Sequence, residues 1–276
     1  NIAEAGIRQT LKTDADGRIT EFSEKPKGDA LENMRVDTSA SFGLSGTEAA
    51  ERPFLASMGI YVFKYDALEK LLNENPGWVD FGREIIPEAI KRHNVQAFLF
   101  KGYWEDIGTI SAFYKANLDM TSPLPQFNFF DAESPIYTRA RYLPGSKIQN
   151  CHVRDSFIAD GCILNGAEIA GSIVGIRTRI ANGARIEASF LMGADYYQTI
   201  DDMMTDMRSG IPPIGIGQDT IIRRAIVDKN ARIGARVRLL NEQNIENLDG
   251  PDQGYYIRDH IIIVPKNSIV VDGTVV

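Results

Sequence analysis

The sequence predicts two architectures in tandem: part of an α/β domain, then a left-handed parallel β-helix. Three observations carry this. Strand-like and helix-like stretches alternate from residue 17 to about residue 120. From Pro144 onward, aliphatic residues recur at intervals of six, with small residues or glycine between them. A polar stretch near 195–214 interrupts that repeat without ending it.

Taken in order, "DADG" reads as a turn, and "GRITEFSEKP" as a strand stopped by Pro26. "FLASMGIYVF" is expected to be a buried strand. "DALEKLLNEN" places Leu68, Leu71 and Leu72 on one helical face, with Asp66 as its cap. "DFGREIIPEAIKRH" is a second helical run, bent or delayed by Pro87. "VQAFLF" is expected as a short strand, "KGYWEDIGT" as a turn, and "ISAFYKANLDM" as a helix. Few strands are available, so this is the grammar of part of an α/β domain.

Beyond residue 144 the inward aliphatics are expected at Ile158, Ile163, Ile169, Val174, Ile180 and Ile186, with turns at Gly161, Gly166, Gly171 and Gly183. The pattern resumes in "TIIRRAIVDKNARIGARV", where Val227 and Ile233 are six apart, and again in "YYIRDHIIIVPKNSIVVDGTVV". One aliphatic per flat face of a triangular coil cannot bury itself alone; stacked coils bury one another's. A β-sandwich is the alternative, and the regular six-residue step favours the coil. "DYYQTIDDMMTDMRSGIPP" reads as an inserted loop carrying a short helix.

Composition excludes several function classes. Thirty-seven acidic residues against thirty basic ones give a net charge of -7, without a long block of like charge, which argues against general nucleic-acid binding but leaves room for a local anion pocket. Two cysteines, Cys151 and Cys162, make neither a disulfide framework nor a structural zinc set; a reducing compartment and small interior or turn positions are expected. No apolar run reaches the length of a membrane span. His93, His152 and His260 lie in different motifs and are expected to serve surface or packing roles.

A set of words running in order to the C-terminus resembles glucose-1-phosphate adenylyltransferase (ADP-glucose pyrophosphorylase) of the cyanobacterial and plant type: "EFSEKPKG", "ASMGIYVF", "DFGREIIPEAI", "YWEDIGTI", "SIVGIRTRI", "LMGADYY", "PPIGIG", "IVDKNARIG" and "YYIRDHIIIVPKNS". The resemblance implies a partial Rossmann-like nucleotidyltransferase domain over residues 1–125, a linker over 126–143, and a regulatory and oligomerisation β-helix over 144–276. The family's N-terminal catalytic half, with its Gly-rich nucleotide loop, has no counterpart in these 276 residues. The isolated chain is therefore expected to be inactive by itself.

Residue roles follow from the same resemblance. Lys25 is expected against the phosphate of glucose 1-phosphate, Glu24 on the sugar hydroxyls, and Ser57 and Trp104 in the lining of that pocket, with plain core support as the alternative for Trp104. Asp106 matches the metal-binding aspartate. Mg²⁺ suits a reaction in which sugar phosphate attacks the α-phosphorus of ATP and pyrophosphate leaves, because many negative charges meet there. Glu105 is expected to be structural or salt-bridging, not a ligand. Arg141, Lys229 and Lys266, with Arg139 beside them, match effector-site residues for 3-phosphoglycerate as activator and phosphate as inhibitor, with Asp228 holding Lys229. A homotetramer or heterotetramer is implied, in the cytoplasm of a cyanobacterium or the plastid stroma of a plant or alga. Two other readings stand beside it: a non-catalytic regulatory subunit of the same enzyme, and a β-helix acyltransferase. The second is disfavoured because the repeat has no catalytic histidine in a clear acyl-carrier or coenzyme A context.

Overall fold

The structure, a computed structural model, describes residues 9–39 and 44–276. It divides into two compact units, 1–104 and 105–276.

The first unit is built on a three-stranded antiparallel sheet in the order β2-β1-β3. Its strands are β1 (Gln9–Thr13), β2 (Ile19–Glu24) and β3 (Leu55–Ala56). The β1–β2 register sets Gln9 opposite Glu24 and Leu11 opposite Phe22. Asp14 folds the intervening turn, its carboxylate accepting from the backbone N–H of Asp16 and Arg18. Short helices α1 (Asp29–Glu32) and α2 (Gly46–Glu51) follow β2; Ser45 and Glu48 form a reciprocal cap at the start of α2. Helix α3 spans Tyr65–Glu74. A π turn, Phe81–Ile85, then leads into α4, Ile86–Arg92. Pro87 sits at the start of α4, where its missing N–H removes no helical bond. Among the described residues, Leu11, Ile19, Met34, Leu71, Ile85, Ile86 and Ala89 are buried and hold this unit together.

Four local expectations fail here. In "FLASMGIYVF" the ladder with β1 covers Leu55 and Ala56, and Ile60 and Val62 stand exposed. In "VQAFLF" one isolated bridge, Gln96 to Arg18, replaces a strand, and Phe98 is exposed. An apolar run becomes a buried strand when neighbours pair with it and cover it, and the described sheet supplies none there. In α3 the N-cap position is Lys64, without a side-chain cap, and Asp66 lies within the first turn. Leu71 is the buried residue of that helix, while Leu72 faces solvent.

The second unit begins with helix α5, Ile110–Asp119, capped by the Thr109 hydroxyl, which accepts from the Ala112 N–H. Helix α5 packs on the coil: the Phe113 ring meets Phe190, and the Tyr114 hydroxyl donates to the Ala188 carbonyl. The coil is a parallel β-helix with three faces. One face stacks β4 (Lys147–Gln149), β7 (Ile163–Asn165), β10 (Arg179–Ile180), β13 (Gly215–Ile216), β16 (Arg232–Ile233) and β21 (Ile269–Val270). The second stacks β5 (His152–Arg154), β8 (Glu168–Ala170), β11 (Arg185–Glu187), β14 (Ile221–Arg223) and β17 (Arg238–Leu239). The third stacks β6 (Phe157–Ile158), β9 (Ile173–Val174), β12 (Phe190–Leu191), β15 (Ala225–Val227) and β20 (Ile261–Val264), extended by β19 (Tyr255–Arg258) and β18 (Leu248–Gly250).

Three inward ladders make the core. Leu164, Ile180, Ile216, Ile233 and Val270 are paired in register on the first face. Ile169, Ile186, Ile222 and Leu239 line the second. Val174, Leu191, Val227 and Val264 line the third. All of these residues are buried. Full burial of each such side chain is worth about 1.5–3 kcal/mol. The expected inward residue Ile163 is half-exposed, and its neighbour Leu164 points inward instead. The other departure is "YYIRDH": β18, β19 and β20 pair antiparallel, so this stretch is a meander at the coil's side, not another turn of the repeat.

The insertion near 195–214 carries helix α6, Ile200–Arg208, with Thr199 and Asp202 as a reciprocal cap. Asp206 ties it to the coil by accepting from the Arg232 guanidinium at 2.7 Å and from the Gln198 amide at 2.6 Å. Among the described residues, no helix is long and apolar enough to cross a membrane.

Candidate functional sites

Strand β2 ends at Glu24, and the next residue, Lys25, turns the chain with φ at 48°. That left-handed geometry costs a non-glycine residue about 1–3 kcal/mol. A following proline further disfavours anything but extended backbone. The turn leaves the Lys25 ammonium beside Glu24 at 3.7 Å, with the lysine side chain 55% exposed against 13% for Glu24. Glu24 in turn accepts from Nε of Arg83 at 3.1 Å.

Arg83 arrives from the π turn. Asp80 caps that turn, its carboxylate accepting from the Gly82 and Arg83 N–H groups at 2.8 and 2.9 Å. Gly82 is buried, and the space where a Cβ would stand is taken by the Gln9 amide, with Glu24 Oε2 at 3.2 Å. Gln9 links the remaining groups. Its backbone carbonyl accepts from the Ser57 N–H at 3.0 Å, and its side-chain oxygen accepts from the Tyr61 hydroxyl at 3.0 Å. The Tyr61 and Ser57 hydroxyls are 3.3 Å apart. Burial pushes the Tyr61 phenol above its usual pKa. Glu24, Lys25 and Ser57 are thus gathered at one end of one sheet, around Gln9. Gln9, Tyr61 and Arg83 were not singled out from the sequence. The pairing of Arg83 with Glu24 joins residues 59 apart, and no local pattern announces it.

Trp104 closes the first unit and is 38% exposed, so it does not serve as core. Asp106 belongs to the second unit. One of its oxygens accepts from the Gly108 N–H at 2.8 Å, which fixes the carboxylate on the short turn before Thr109 and α5. Among the described residues, no group of three or more His, Cys, Asp and Glu side chains is arranged to hold a metal. A single carboxylate still fits Mg²⁺, which keeps several waters and commonly takes one or two carboxylates together with substrate phosphates.

The basic residues of the coil divide into two groups. Lys229 and Lys266 follow β15 and β20, whose ends Val227 and Val264 are aligned, so the two lysines occupy equivalent corners of adjacent turns. Both converge on Asp195: Lys229 lies 3.1 Å from one carboxylate oxygen and Lys266 2.7 Å from the other. Asn230, itself buried, donates to the same carboxylate at 3.1 Å and accepts from the Asp195 N–H at 2.8 Å. The Lys266 hydrogen bond, then that of Lys229, holds the Asp195 carboxyl far below the usual aspartate range; Asp195 raises Lys266 in return. Asp228 does not hold the Lys229 ammonium as expected; its carboxylate accepts from the Lys229 backbone N–H. Arg141 turns back on its own segment, donating to the Arg139 carbonyl at 3.0 Å. Among the described residues, no hydrogen bond or ion pair joins Arg139 or Arg141 to the lysine pair. Asp195, in "LMGADYY", is the member of this site that residue-by-residue reading missed.

Comparison with protein families gives two matches. Residues 10–123 match the nucleotidyl transferase family, and residues 141–275 match the GLGC left-handed parallel beta-helix domain. The chain is thus a nucleotidyltransferase domain followed by a left-handed β-helix domain.

Proposed function

We propose, from the premise that this pairing of domains is consistent with the ADP-glucose pyrophosphorylase family, that the chain serves adenylyl transfer from ATP to glucose 1-phosphate. The two domains point to a sugar-phosphate nucleotidyltransferase. The observation that carries the finer reading is the corner at Lys25. A left-handed lysine before proline is a costly way to end a strand, and it leaves an ammonium more than half exposed beside a mostly buried carboxylate.

In this reading the compact point charge of Lys25 holds the sugar phosphate. Glu24, fixed by Arg83, accepts from sugar hydroxyls, and Ser57 and Trp104 line the pocket. A phosphate oxygen of glucose 1-phosphate forms a new bond to the α-phosphorus of ATP. The bond from that phosphorus to the α,β-bridging oxygen breaks, and pyrophosphate leaves with the electron pair. Such an in-line exchange needs orientation and charge neutralisation more than a proton donor. Asp106 would hold Mg²⁺, which when bound neutralises charge on the reacting phosphates. These residues supply the sugar-phosphate side of the reaction, and the 276 residues by themselves are expected not to turn over. Lys229 and Lys266, with Arg141 and Arg139 as further cations, form the effector pocket for a small phosphorylated acid such as 3-phosphoglycerate, with phosphate as the opposing ligand, in a tetramer.

Steady-state kinetics of an enzyme containing this chain test the assignment. Lys25→Ala should raise KM for glucose 1-phosphate far more than KM for ATP, while Asp106→Asn should chiefly lower kcat. The reverse pattern would remove both roles.

A further inference from the structure

We propose that Asp195 is a built-in counter-ion of the Lys229–Lys266 pair, an internal occupant that an anionic ligand has to displace. The proposal rests on the reading of this corner as an anion pocket and adds how that pocket is regulated.

Two like charges on equivalent corners of adjacent coil turns repel each other unless something neutralises both. Asp195 does so with one oxygen for each ammonium, at 3.1 and 2.7 Å. The arrangement is built, because the carboxylate is steered from two sides. Buried Asn230 grips it by side chain and backbone, and Asn267 braces Asn230 at 3.1 Å. The turn before Lys229 has the aligned corner too, since Leu191 pairs with Val227, and there the residue is Gly193. Gly193 has φ of 87°, and a Cβ on it would run into the Ile176 carbonyl. The third equivalent corner therefore carries no side chain, and the chain two residues on delivers the carboxylate to the lysines on the following turns.

A phosphate group would seek the same two ammonium groups. Its negative charge and that of Asp195 cannot share them without repulsion, and the Asp228 carboxylate adds to it, lying close enough to act on Lys266. Binding thus exchanges an internal anion for an external one, and the affinity is set by the difference. Asp195 also begins the insertion whose helix is fastened by Asp206 to Arg232 and whose Tyr197 hydroxyl donates to the Gly161 carbonyl. Releasing the carboxylate loosens one fastening of that segment and leaves the others in place.

The test is calorimetric titration of the chain with inorganic phosphate at fixed ionic strength. Asp195→Asn keeps the side-chain shape and should tighten phosphate binding about tenfold; Asp195→Ser, which removes the charge with a different side chain, should do likewise. Lys266→Ala should weaken binding in either background. If both Asp195 variants bind phosphate no better than the parent while Lys266→Ala still weakens it, Asp195 positions the lysines and does not compete, and the proposal falls. If Lys266→Ala binds phosphate as the parent does, the anion-pocket reading itself is wrong, and the proposal falls with it.

Discussion

Replacing Gly82 with alanine would put a methyl group where the Gln9 amide now lies, with Glu24 Oε2 3.2 Å and Gln9 Cδ 3.3 Å from the new carbon. The atom in the way is the end of a flexible side chain, so Gln9 can swing aside. Overpacking in a core costs about 1–3 kcal/mol, and this relief places the cost at the low end. Alanine recovers up to about 1 kcal/mol over glycine in helical backbone. The two nearly cancel, so the melting midpoint should move by a few degrees at most. Binding should not be spared. A displaced Gln9 amide leaves the Tyr61 hydroxyl without its acceptor and crowds the carboxylate that Arg83 holds. Loss of one well-placed hydrogen bond to the sugar is worth about 1–1.5 kcal/mol, or about tenfold in affinity. Paired thermal melts and glucose 1-phosphate titrations of the parent and Gly82→Ala check this. A folded variant with unchanged affinity would show that the pocket does not lie where Gln9, Glu24 and Gly82 meet.

Two further outcomes follow from the coil. Ile222→Ala, at a fully buried rung between Ile186 and Leu239, should cost about 2–5 kcal/mol in chemical denaturation; a change below 1 kcal/mol would contradict the inward ladder. Asp206 has its carboxyl held below the ordinary aspartate value of 3.8 by the Arg232 guanidinium. A lowered native pKa contributes stability that is present above the unfolded value and lost as pH falls through the native one. Protection of residues 200–208 from hydrogen exchange, relative to the free-chain rate, should therefore fall in the parent only at acid pH below that ordinary value, and should already be reduced above it in Arg232→Met; identical protection in the two would remove the ion pair as the fastening.

The coil was readable because one aliphatic per six residues has few other solutions. Its phase was harder. Ile163 and Leu164 are both aliphatic, and a shift of one residue exchanges the inward and outward faces, so the register with Ile180 decides between them. The strand expected over "FLASMGIYVF" failed for a different reason: apolar content states what could be buried, and only neighbouring strands decide what is. At the candidate sites, Lys25 stood out because a charged residue before proline at a strand end is legible locally. Arg83 and Asp195 did not, because each meets its partner through a turn of the fold and not through sequence proximity. Gly82 and Gly193 carried the missing signal, each a position where a side chain would obstruct a polar contact or a close backbone approach.

The central claim is that the Lys25 corner receives the phosphate of glucose 1-phosphate. Equilibrium titration of the parent and Lys25→Ala with glucose 1-phosphate, glucose and inorganic phosphate tests it most directly. Saturable binding of glucose 1-phosphate that glucose does not match is expected, weakened about tenfold by Lys25→Ala, with phosphate binding at Lys229 and Lys266 unchanged. Glucose 1-phosphate binding that survives Lys25→Ala intact would contradict it.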